Sequence, residues 1–560
     1  MNEPACRQLS FKTPARDGEA LIWPAPDQWN RLANQTAQRF AAENRARLLD
    51  VPLSAARELA RRSLRPFFSG AGIFPSPAGG GMGRGDFRTG VSLVDPSRPW
   101  FVTGHQTFPF HPGIWAKIVA TDAAAAAAQA GGVAVNLNLD HDLPHAGPQL
   151  AWPAVRADGQ WIRRGNLTLD HRQPFERQPA PSPTDIERLC QQVSADLDPL
   201  LTEKRTCPFT LPAPASEPSS FATWSAQMRA SLDYSLGLRL VEVMTSQLAE
   251  QDAFLLFFAD AVARAESLHH CYNQAVAAAE RVTGHLPATP LRREADRLEL
   301  PFWTLRPERP GRGRLFVSAQ STGAAVTLSD DRGRIGAIAS DDLQTADRAV
   351  PAIRRVLAEA GVQLRPRAIT FTLFTRMLLA DLFVHGIGGA VYDCATDEIF
   401  RNHFGIEPPP FAVCSATLLL PLNGEPASAD ELRQARRNAR DLRFNPQRHL
   451  SAELLANPQA GELAAKRQAA VAENERLRQA GPSPQGRLQR HTLYLEIGQA
   501  TSQLVQLLSK PIQSADEQVR QLLQRHQAAA VLTARDFFYG LFPTKRLEQL
   551  HDGIRGRFQG

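Results

Sequence analysis

Residues 98–142, RPWFVTGHQTFPFHPGIWAKIVATDAAAAAAQAGGVAVNLNLDHD, read as an apolar run, a polar loop, a helix-favouring run opened by Pro112, and a second apolar run. A strand, a helix and a strand joined over this length predict a parallel pair with a right-handed crossover. In an open parallel sheet, ligands bind outside the carboxyl ends of the strands. Those predicted ends carry Gly104-His105-Gln106 and Asp140-His141-Asp142. The stretch therefore predicts an α/β fold with a parallel sheet and a site at one of its edges.

The loop 103–117 is the first candidate for that site. Its polar residues stand before a helix N-terminus, whose free N–H groups favour an anion; they are Thr103, Gly104, His105, Gln106 and His111. Lys117 lies about one turn into the helix. The loop lacks GxGxxG and GxxxxGK[ST], which argues against a dinucleotide fold or a P-loop. The alternative is a polar loop with one capping histidine.

The second candidate is the segment LDHDLPH, which follows the second predicted strand. We assign acid–base and hydrogen-bonding roles to Asp140, His141 and Asp142, because neighbouring charges can set the pKa of a base. A divalent metal would need further ligands from elsewhere in the chain, and we predict none. The alternative is a surface turn charged for solubility.

The third candidate is HGIGGAVYD, residues 385–393. Gly386, Gly388 and Gly389 would let backbone N–H groups approach a carboxylate or phosphate before a helix begins. The alternative is a tight turn without chemical function. Three polar loops at three predicted parallel strand ends favour one shared site over three independent turns.

The rest of the chain alternates helical and β-rich segments. The patterns predict two helices at 29–49 and 53–65, a Gly/Pro loop at 74–86, helices in most of 160–295, a small β meander at 298–340, and strands at RAITFTLF (367–374) and LFVHGIGG (382–389).

Beyond Pro421 the composition changes to Gln, Ala, Arg and Glu. This predicts long helices at about 459–479 and 487–508, separated by GPSPQG, and a last helix after Pro511 with a capping box at Ser514–Glu517. A helical hairpin or coiled coil is expected, without sustained heptads that would define its partner.

Composition limits the class of protein. The chain has 560 residues, of which 43% are hydrophobic and 21% charged, and its net charge is +6. Arg is interspersed with Asp and Glu, so we predict no nucleic-acid binding. No apolar run is long enough to span a bilayer, and the N-terminus has no signal-peptide pattern. Six cysteines without CxxC spacing predict neither a disulfide framework nor a zinc ribbon. We expect a soluble, cytoplasmic protein.

Four motifs occur in order: VTGHQ…HPGIWAK, LNLDHDLPH, LFVHGIGGAVYDCATDEIFRNHFGIEPP followed by SATLLL, and FFYGLFPTKRLEQL. Together they resemble the bacillithiol biosynthesis cysteine-adding enzyme (BshC) family, whose motifs are roughly TGQQ…GPLYTIYK, SEDHDF, VGGPGEIAYWAQLKEVFEHFG and LFPGGKLQER. The resemblance extends from about residue 97 to the C-terminus.

The resemblance implies a Rossmann-like core related to nucleotidyl transferases, helical insertions, and a C-terminal coiled coil associated with dimerisation. It also implies a ligase that joins the carboxyl of L-cysteine to the amine of glucosaminyl-malate. Residues that fall on the family motifs are His105, Gln106, Asp140, His141, Asp142, Gly386, Gly388, Tyr392 and, if a short gap is allowed, Lys117.

The departures from the family are Gly389 in place of Glu, Ile387 in place of Pro, Asp393 in place of Trp and Thr544 in place of Gly. A site built for one polar partner discriminates strongly against another. These changes therefore bear on the substrate more than on the fold, and another amine or amino acid is an alternative substrate.

With the resemblance, the expected division of the chain has six parts. They are an N-terminal helical segment (1–90), the first part of a Rossmann-like core (91–160), a helical insertion (161–295), the meander with the second part of the core (296–425), a helical or coiled-coil region (426–540) and a segment returning to the core (541–560).

The functional hypothesis is amide-bond formation between an amino acid and an aminosugar, with Lys117 and His105 stabilising negative charge. The Asp140–Asp142 segment would act on the amine proton, and the 386–389 backbone would hold an anionic end such as malate. Whether ATP or ADP activates the carboxylate stays open. The alternatives are an adenylating enzyme related to class I nucleotidyl transferases, and a non-catalytic scaffold. We expect a homodimer through the helical region.

Overall fold

The computed structural model describes residues 11–559 except 44, 69–97, 130, 206–207, 214–217, 219, 285 and 320–322. The chain divides into two compact units. The first comprises Met1–Trp152, Arg164–Pro421 and Arg535–Gly560, and the second comprises Pro153–Arg163 and Leu422–Ala534. The predicted loop at 74–86 lies outside the described residues.

The strands are numbered in chain order. They are β1 (Ala20–Trp23), β2 (Arg47–Leu48), β3 (Val51–Pro52), β4 (Trp100–Gln106), β5 (Val133–Leu139), β6 (Pro148–Val155), β7 (Trp161–Thr168), β8 (Val241–Met244), β9 (Arg293–Glu294), β10 (Arg297–Leu305), β11 (Gly313–Ala319), β12 (Ala325–Asp330), β13 (Gly333–Ala339), β14 (Gln363–Pro366), β15 (Leu382–His385) and β16 (Phe411–Ala416).

The α-helices of the first unit are α1 (Asp27–Ala42), α2 (Leu53–Ser63), α3 (Arg65–Phe68), α4 (Pro112–Ala126), α5 (Pro183–Leu197), α6 (Phe221–Ser235), α7 (Thr245–Leu248), α8 (Asp252–Ala263), α9 (Ala265–Thr283), α10 (Ala346–Glu359), α11 (Ala368–Phe374), α12 (Ile387–Ile399) and α18 (Thr544–Arg555). Those of the second unit are α13 (Ala429–Phe444), α14 (Ala452–Leu455), α15 (Pro458–Gln479), α16 (Pro484–Leu507) and α17 (Ser509–Leu532).

A six-stranded, mostly parallel sheet forms the centre of the first unit. Its order is β1-β16-β15-β4-β5-β8. All neighbours pair in parallel except β1, which is antiparallel to β16. The parallel pair predicted around residues 98–140 is confirmed: β4 and β5 are joined by α4, which begins at Pro112 because proline suits the first turn of a helix.

The order of strands reverses beside β4. From β4 the chain proceeds to β5 and β8 on one side, then returns to β15 and β16 on the other side. In open α/β sheets the ligand site lies at the carboxyl ends of the strands at this reversal. The fold therefore points to the ends of β4 and β15.

The second sheet of this unit confirms the predicted meander. Its order is β13-β12-β11-β10-β14, with β9 beside β10, and all of its pairs are antiparallel. Apolar residues from both sheets belong to one core together with α8. The run AFLLFFADAV of α8 is buried on all sides, which explains why it is apolar around its whole circumference.

Three predictions of secondary structure need correction. The helix predicted over 29–49 ends at Ala42, and Arg47–Leu48 form β2. RAITFTLF, predicted as a strand, is the helix α11, followed by a π-helical turn at Thr375–Leu379. All seven residues of α11 except Ala368 are buried, so tertiary packing overrides the β preference of its Ile, Thr and Phe side chains. The segment 161–295 contains helices α5 to α9, but also three strands: β7, β9 and VEVM, which forms β8 at the edge of the first sheet.

Helices dominate the second unit, where α15 packs against α16 and α13 against α17. The capping box expected at Ser514–Glu517 is absent, because α17 already begins at Ser509 and runs through Pro511. A capping box is present instead at the start of α13, where Ser428 and Glu431 cap each other's backbone N–H groups.

No helix among the described residues has the length and apolar character needed to cross a membrane. Cys190, Cys271 and Cys414 are free thiols. Cys394 is disulfide-bonded, which the spacing of the cysteines did not predict.

Candidate active site

The three predicted loops follow three adjacent parallel strands. Val384 of β15 pairs with Thr103 of β4, and Gln106 of β4 pairs with Leu139 of β5. The residues after β15, β4 and β5 therefore leave the sheet at one edge. We call Gly104–Gln106, Asp140–Asp142 and His385–Gly389, together with Lys117, the strand-end site.

Lys117 is a buried cation at this site. Its side chain is 4% exposed, and Nζ donates a hydrogen bond of 2.5 Å to the carbonyl oxygen of Gly104. Burial lowers the pKa of Lys117 to about 7. Gly104 is closely packed, since a Cβ there would lie 3.1 Å from the Leu137 oxygen and from the Phe371 ring. An ammonium that changes charge near neutral pH is thus fixed beside the end of β4.

His105 lies at the end of β4 with its ring between two phenylalanines. The ring centroids of Phe108 and Phe110 are 5.5 and 5.6 Å from that of His105. Burial and the nearby charge of Lys117 hold the pKa of His105 well below its ordinary value. The imidazole is therefore neutral at pH 7 and offers a hydrogen bond rather than a charge.

Two predicted site residues are engaged with the backbone. The Thr103 hydroxyl donates to the Val384 carbonyl oxygen at 2.8 Å, which ties β4 to β15. His111 is the N-cap of α4, where Nδ1 accepts from the Gly113 N–H at 3.1 Å. Burial lowers the pKa of His111 to about 4, so this capping ring stays neutral. The side chains of Thr103 and His111 therefore hold the backbone in place.

Asp140 and His141 are buried at the end of β5. Both carboxylate oxygens of Asp140 accept from Ser246, one from its N–H at 2.9 Å and the other from its hydroxyl. Burial, reinforced by the charge of Glu176, raises the pKa of Asp140 to about 7. His141 is 3% exposed, its Nδ1 has no hydrogen-bond partner among the described residues, and burial lowers its pKa to about 4.

Asp142 joins the ends of β4 and β5. It accepts from the Gln106 side chain at 2.9 Å and forms an ion pair with Arg312 at 2.7 Å. Burial alone would raise the pKa of Asp142, but the charge of Arg312 and the hydrogen bond from Gln106 outweigh it and lower the pKa. Asp142 is therefore a permanent carboxylate that holds Gln106 in place.

Sequence reasoning missed several residues around Asp140–Asp142. Arg312 packs over the Trp303 ring at 4.6 Å and pairs with Asp142. Glu176 forms a two-point ion pair with Arg365 at 3.0 and 2.7 Å, and its N–H donates to the Asp140 carbonyl oxygen. These partners stand far away in the sequence and share no motif with the strand ends.

The glycine-rich turn after β15 begins α12. Gly386 is the N-cap, and no side chain of a described residue caps this helix start. A Cβ added to Gly386 or Gly388 would meet no atom of a described residue within 4 Å. Free N–H groups at an uncapped helix start favour an anion. The side chain of Tyr392 lies outside the described residues.

His385, the last residue of β15, belongs to a buried ionic group that the sequence did not indicate. Its Nε2 lies 2.5 Å from an Asp393 carboxylate oxygen. Arg376 of the π-helical turn bridges Asp393 at 3.1 Å and Asp397 at 2.8 Å. Although burial would raise the pKa of Asp393, the charge of Arg376 and the hydrogen bond from His385 lower it. Asp393 therefore remains an anion that orients the imidazole.

Among the residues that the structure describes, no three His, Cys, Asp or Glu side chains converge as a metal site requires. The chain matches no protein-family model and no curated protein.

Proposed function

We propose that the protein is a ligase that joins the carboxyl of cysteine, or of a related amino acid, to the amine of an aminosugar such as glucosaminyl-malate. The observation that carries the proposal is the meeting of Lys117, the Asp140–Asp142 segment and the uncapped start of α12 at adjacent strand ends. A ligase of this kind must hold an anion, keep a carboxyl in place and remove a proton from an amine.

The reaction and the family in this proposal are taken from the motif resemblance. In this proposal the chain is a divergent member of the cysteine-adding family with a Rossmann-like, nucleotidyl transferase-like core, acting as a cytoplasmic homodimer in low-molecular-weight thiol biosynthesis. Two departures from the family motif come together: a Cβ at Gly389 would lie 2.5 Å from Nδ1 of His385, and Asp393 holds Nε2 of the same ring. This difference favours a substrate that differs from the family's own.

The reaction forms a bond between the amine nitrogen and the carboxyl carbon, and one carboxyl oxygen leaves. A nucleoside triphosphate such as ATP would supply the activating group that carries this oxygen away. Lys117 lies where its ammonium can neutralise a carboxylate or phosphate oxygen. The N–H groups at the start of α12 would hold the anionic end of the acceptor.

The amine must lose a proton before it can attack, and we assign this step to the Asp140–Asp142 segment. Asp140 is engaged with Ser246, and Asp142 is engaged with Gln106 and Arg312. His141 keeps a buried, unpartnered Nδ1 and is neutral at pH 7. His141 is therefore the base in this proposal, with the two aspartates as positioning residues.

The test is a coupling assay with L-cysteine, glucosaminyl-malate and ATP. His141→Ala is expected to reduce kcat by about 10²–10⁴-fold, the usual contribution of a general base. The matched control is His403→Ala, since His403 is also buried but contacts Ser267 in another part of the unit. Circular dichroism checks that both variants fold. Undiminished coupling by folded His141→Ala would refute the role of His141.

The same assay separates ligase from adenylating activity. A ligase forms amide only when the amine is present. Pyrophosphate released with cysteine and ATP alone, without any amide when the amine is added, would identify the adenylating alternative. If the wild-type chain shows neither activity with any amine or amino acid tested, the proposal of a ligase fails.

A further inference from the structure

The buried pair of His385 and Asp393 takes no part in the steps of the proposed ligase chemistry. Asp393 is fully buried and fixes Nε2 of the ring at 2.5 Å. The proton at this contact lies on Nε2, because a carboxylate accepts and cannot donate. The other nitrogen, Nδ1, then carries the lone pair of a neutral imidazole.

Nδ1 of His385 faces the first turn of α12. A Cβ on Gly389 would stand 2.5 Å from it, so only glycine leaves room for the ring. His385 is 6% exposed, and Nδ1 makes no hydrogen bond with a described residue. The start of α12 is also uncapped at Gly386. The acceptor nitrogen of this largely buried ring and the N–H groups of the first turn of α12 therefore lie close together.

The charged groups that face His385 come from three elements packed around it. They are Asp393 of α12, Arg376 of the π-helical turn and Lys117 of α4. Burial lowers the pKa of His385 below its ordinary value despite the opposing effect of Asp393. The ring is therefore neutral at pH 7, and Lys117 and the helix start are its positive neighbours on the side away from Asp393.

An anion that enters this place meets a conflict. Its oxygens are attracted by the N–H groups of α12 and by Lys117, but they meet the lone pair of Nδ1. The conflict disappears when one proton lies between Nδ1 and the anion, because Nδ1–H then donates to the ligand while Nε2–H donates to Asp393.

We propose that His385 takes up one proton when a carboxylate or phosphate group binds at the start of α12, and that Asp393 positions its ring for this. The proton comes from solvent or from the ligand's own acidic form. The inference rests on the placement of an anionic group at residues 386–389 in the proposed function. The proposal restricts the ligand to an anionic group that can accept a hydrogen bond from protonated Nδ1 of His385.

The test measures protons taken up on binding of inorganic phosphate and of L-malate to the full chain. Isothermal titration calorimetry at pH 8, in two buffers of different ionisation enthalpy, gives that number. His385→Gln keeps a donor for Asp393 but cannot gain a charge, so it should take up about one proton fewer than the wild type. Between pH 7.5 and 9, the Kd of the wild type for phosphate should rise with each pH unit by a factor about ten times larger than the Kd of His385→Gln does.

Two further variants identify the source of the protons. Lys117 also titrates near neutral pH, so Lys117→Met should likewise lose about one proton of uptake while the contribution of His385 remains. His403→Gln, a buried histidine away from the strand-end site, should match the wild type. If His385→Gln does not fold, Asp393→Asn replaces it, and weaker phosphate binding at pH 8 is expected.

Equal proton uptake by folded His385→Gln and by the wild type overturns the inference. If Asp393→Asn is used instead, phosphate binding at pH 8 as tight as that of the wild type overturns it. Failure of both probes to bind the wild type at millimolar concentration also overturns it. The ligase proposal fails separately, through absence of amide product, even where proton-linked binding of phosphate is observed.

Discussion

At the scale of single residues, Lys117 lowers the stability of the fold, while the proposed function needs its charge. A buried ammonium that donates one hydrogen bond is poorly solvated, which is why burial lowers its pKa from 10.5 to about 7. The folded state therefore loses stability as pH falls from about 10.5 to 7, where the unfolded chain binds a proton that the folded chain binds weakly.

Replacing Lys117 by Met should stabilise the fold and weaken anion binding. At pH 7 the burial of the amine costs about 4 kcal/mol, and losing the hydrogen bond to Gly104 costs about 1–3 kcal/mol. The free energy of unfolding should rise by about 1–3 kcal/mol at pH 7, and its slope with pH between 7 and 10 should flatten. Urea titration followed by tryptophan fluorescence measures both.

The control for this variant is Lys545→Met, which removes an exposed lysine from α18. It should change neither stability nor its pH dependence. The interpretation would be contradicted if Lys117→Met were less stable than the wild type at pH 7 and its free energy of unfolding kept the same dependence on pH. Burial of the ammonium would then not be what lowers the stability of the wild type.

At the scale of elements, apolar runs bounded by glycine predicted β4, β5 and β15 because each begins or ends where the backbone must turn. RAITFTLF failed because a short buried apolar run has no periodicity that distinguishes a strand from a helix. The four-residue strand β8 was missed for the same reason: VEVM is too short to stand out within a helical segment.

The packing of α2 depends on a buried ion pair just before β15. Asp381 is fully buried and contacts Arg57 at 2.6 Å and Arg61 at 2.7 Å, both on α2. Its other oxygen accepts from the Trp100 N–H at the start of β4. One carboxylate thus connects a helix to the central sheet.

Asp381→Ala should destabilise the first unit by about 3–5 kcal/mol, because it leaves two arginines without their counter-ion. Urea unfolding followed by tryptophan fluorescence is the measurement, since seven of the eight tryptophans belong to this unit. The exposed pair of Glu58 and Arg62 on the same helix is the control, and Glu58→Ala should cost less than about 1 kcal/mol. Equal small losses in both variants would show that the buried pair contributes no more than a surface one.

At the scale of the whole molecule, the candidate site is only partly local in sequence. The strand ends could be predicted because glycines and polar side chains follow directly after each apolar run in the sequence. Ser246 and Arg312 could not, because they reach the site only through tertiary packing. In a chain with 63 basic residues, nothing marks Arg312 before the fold brings it to Asp142.

The proposed homodimer is a further property of the whole molecule, and α16 of the second unit offers its surface. Leu488 and Leu495 stand seven residues apart on this helix, and they are 71% and 58% exposed. Tyr494 beside them is 69% exposed. Large apolar side chains grouped on a helix face, rather than scattered singly, mark an interaction surface.

We expect the wild-type chain to sediment as a dimer and the double variant Leu488→Glu with Leu495→Glu to sediment as a monomer, because four charges would then have to be buried in a symmetric interface. Sedimentation velocity over a range of protein concentrations measures this. Leu286→Glu is the matched control, since Leu286 is 47% exposed in the first unit and should leave the dimer intact. A monomeric wild type, or a double variant that stays dimeric, would contradict a dimer through α16. Since the second unit contains none of the strand-end residues, the monomeric variant should keep its coupling activity, which would separate assembly from catalysis.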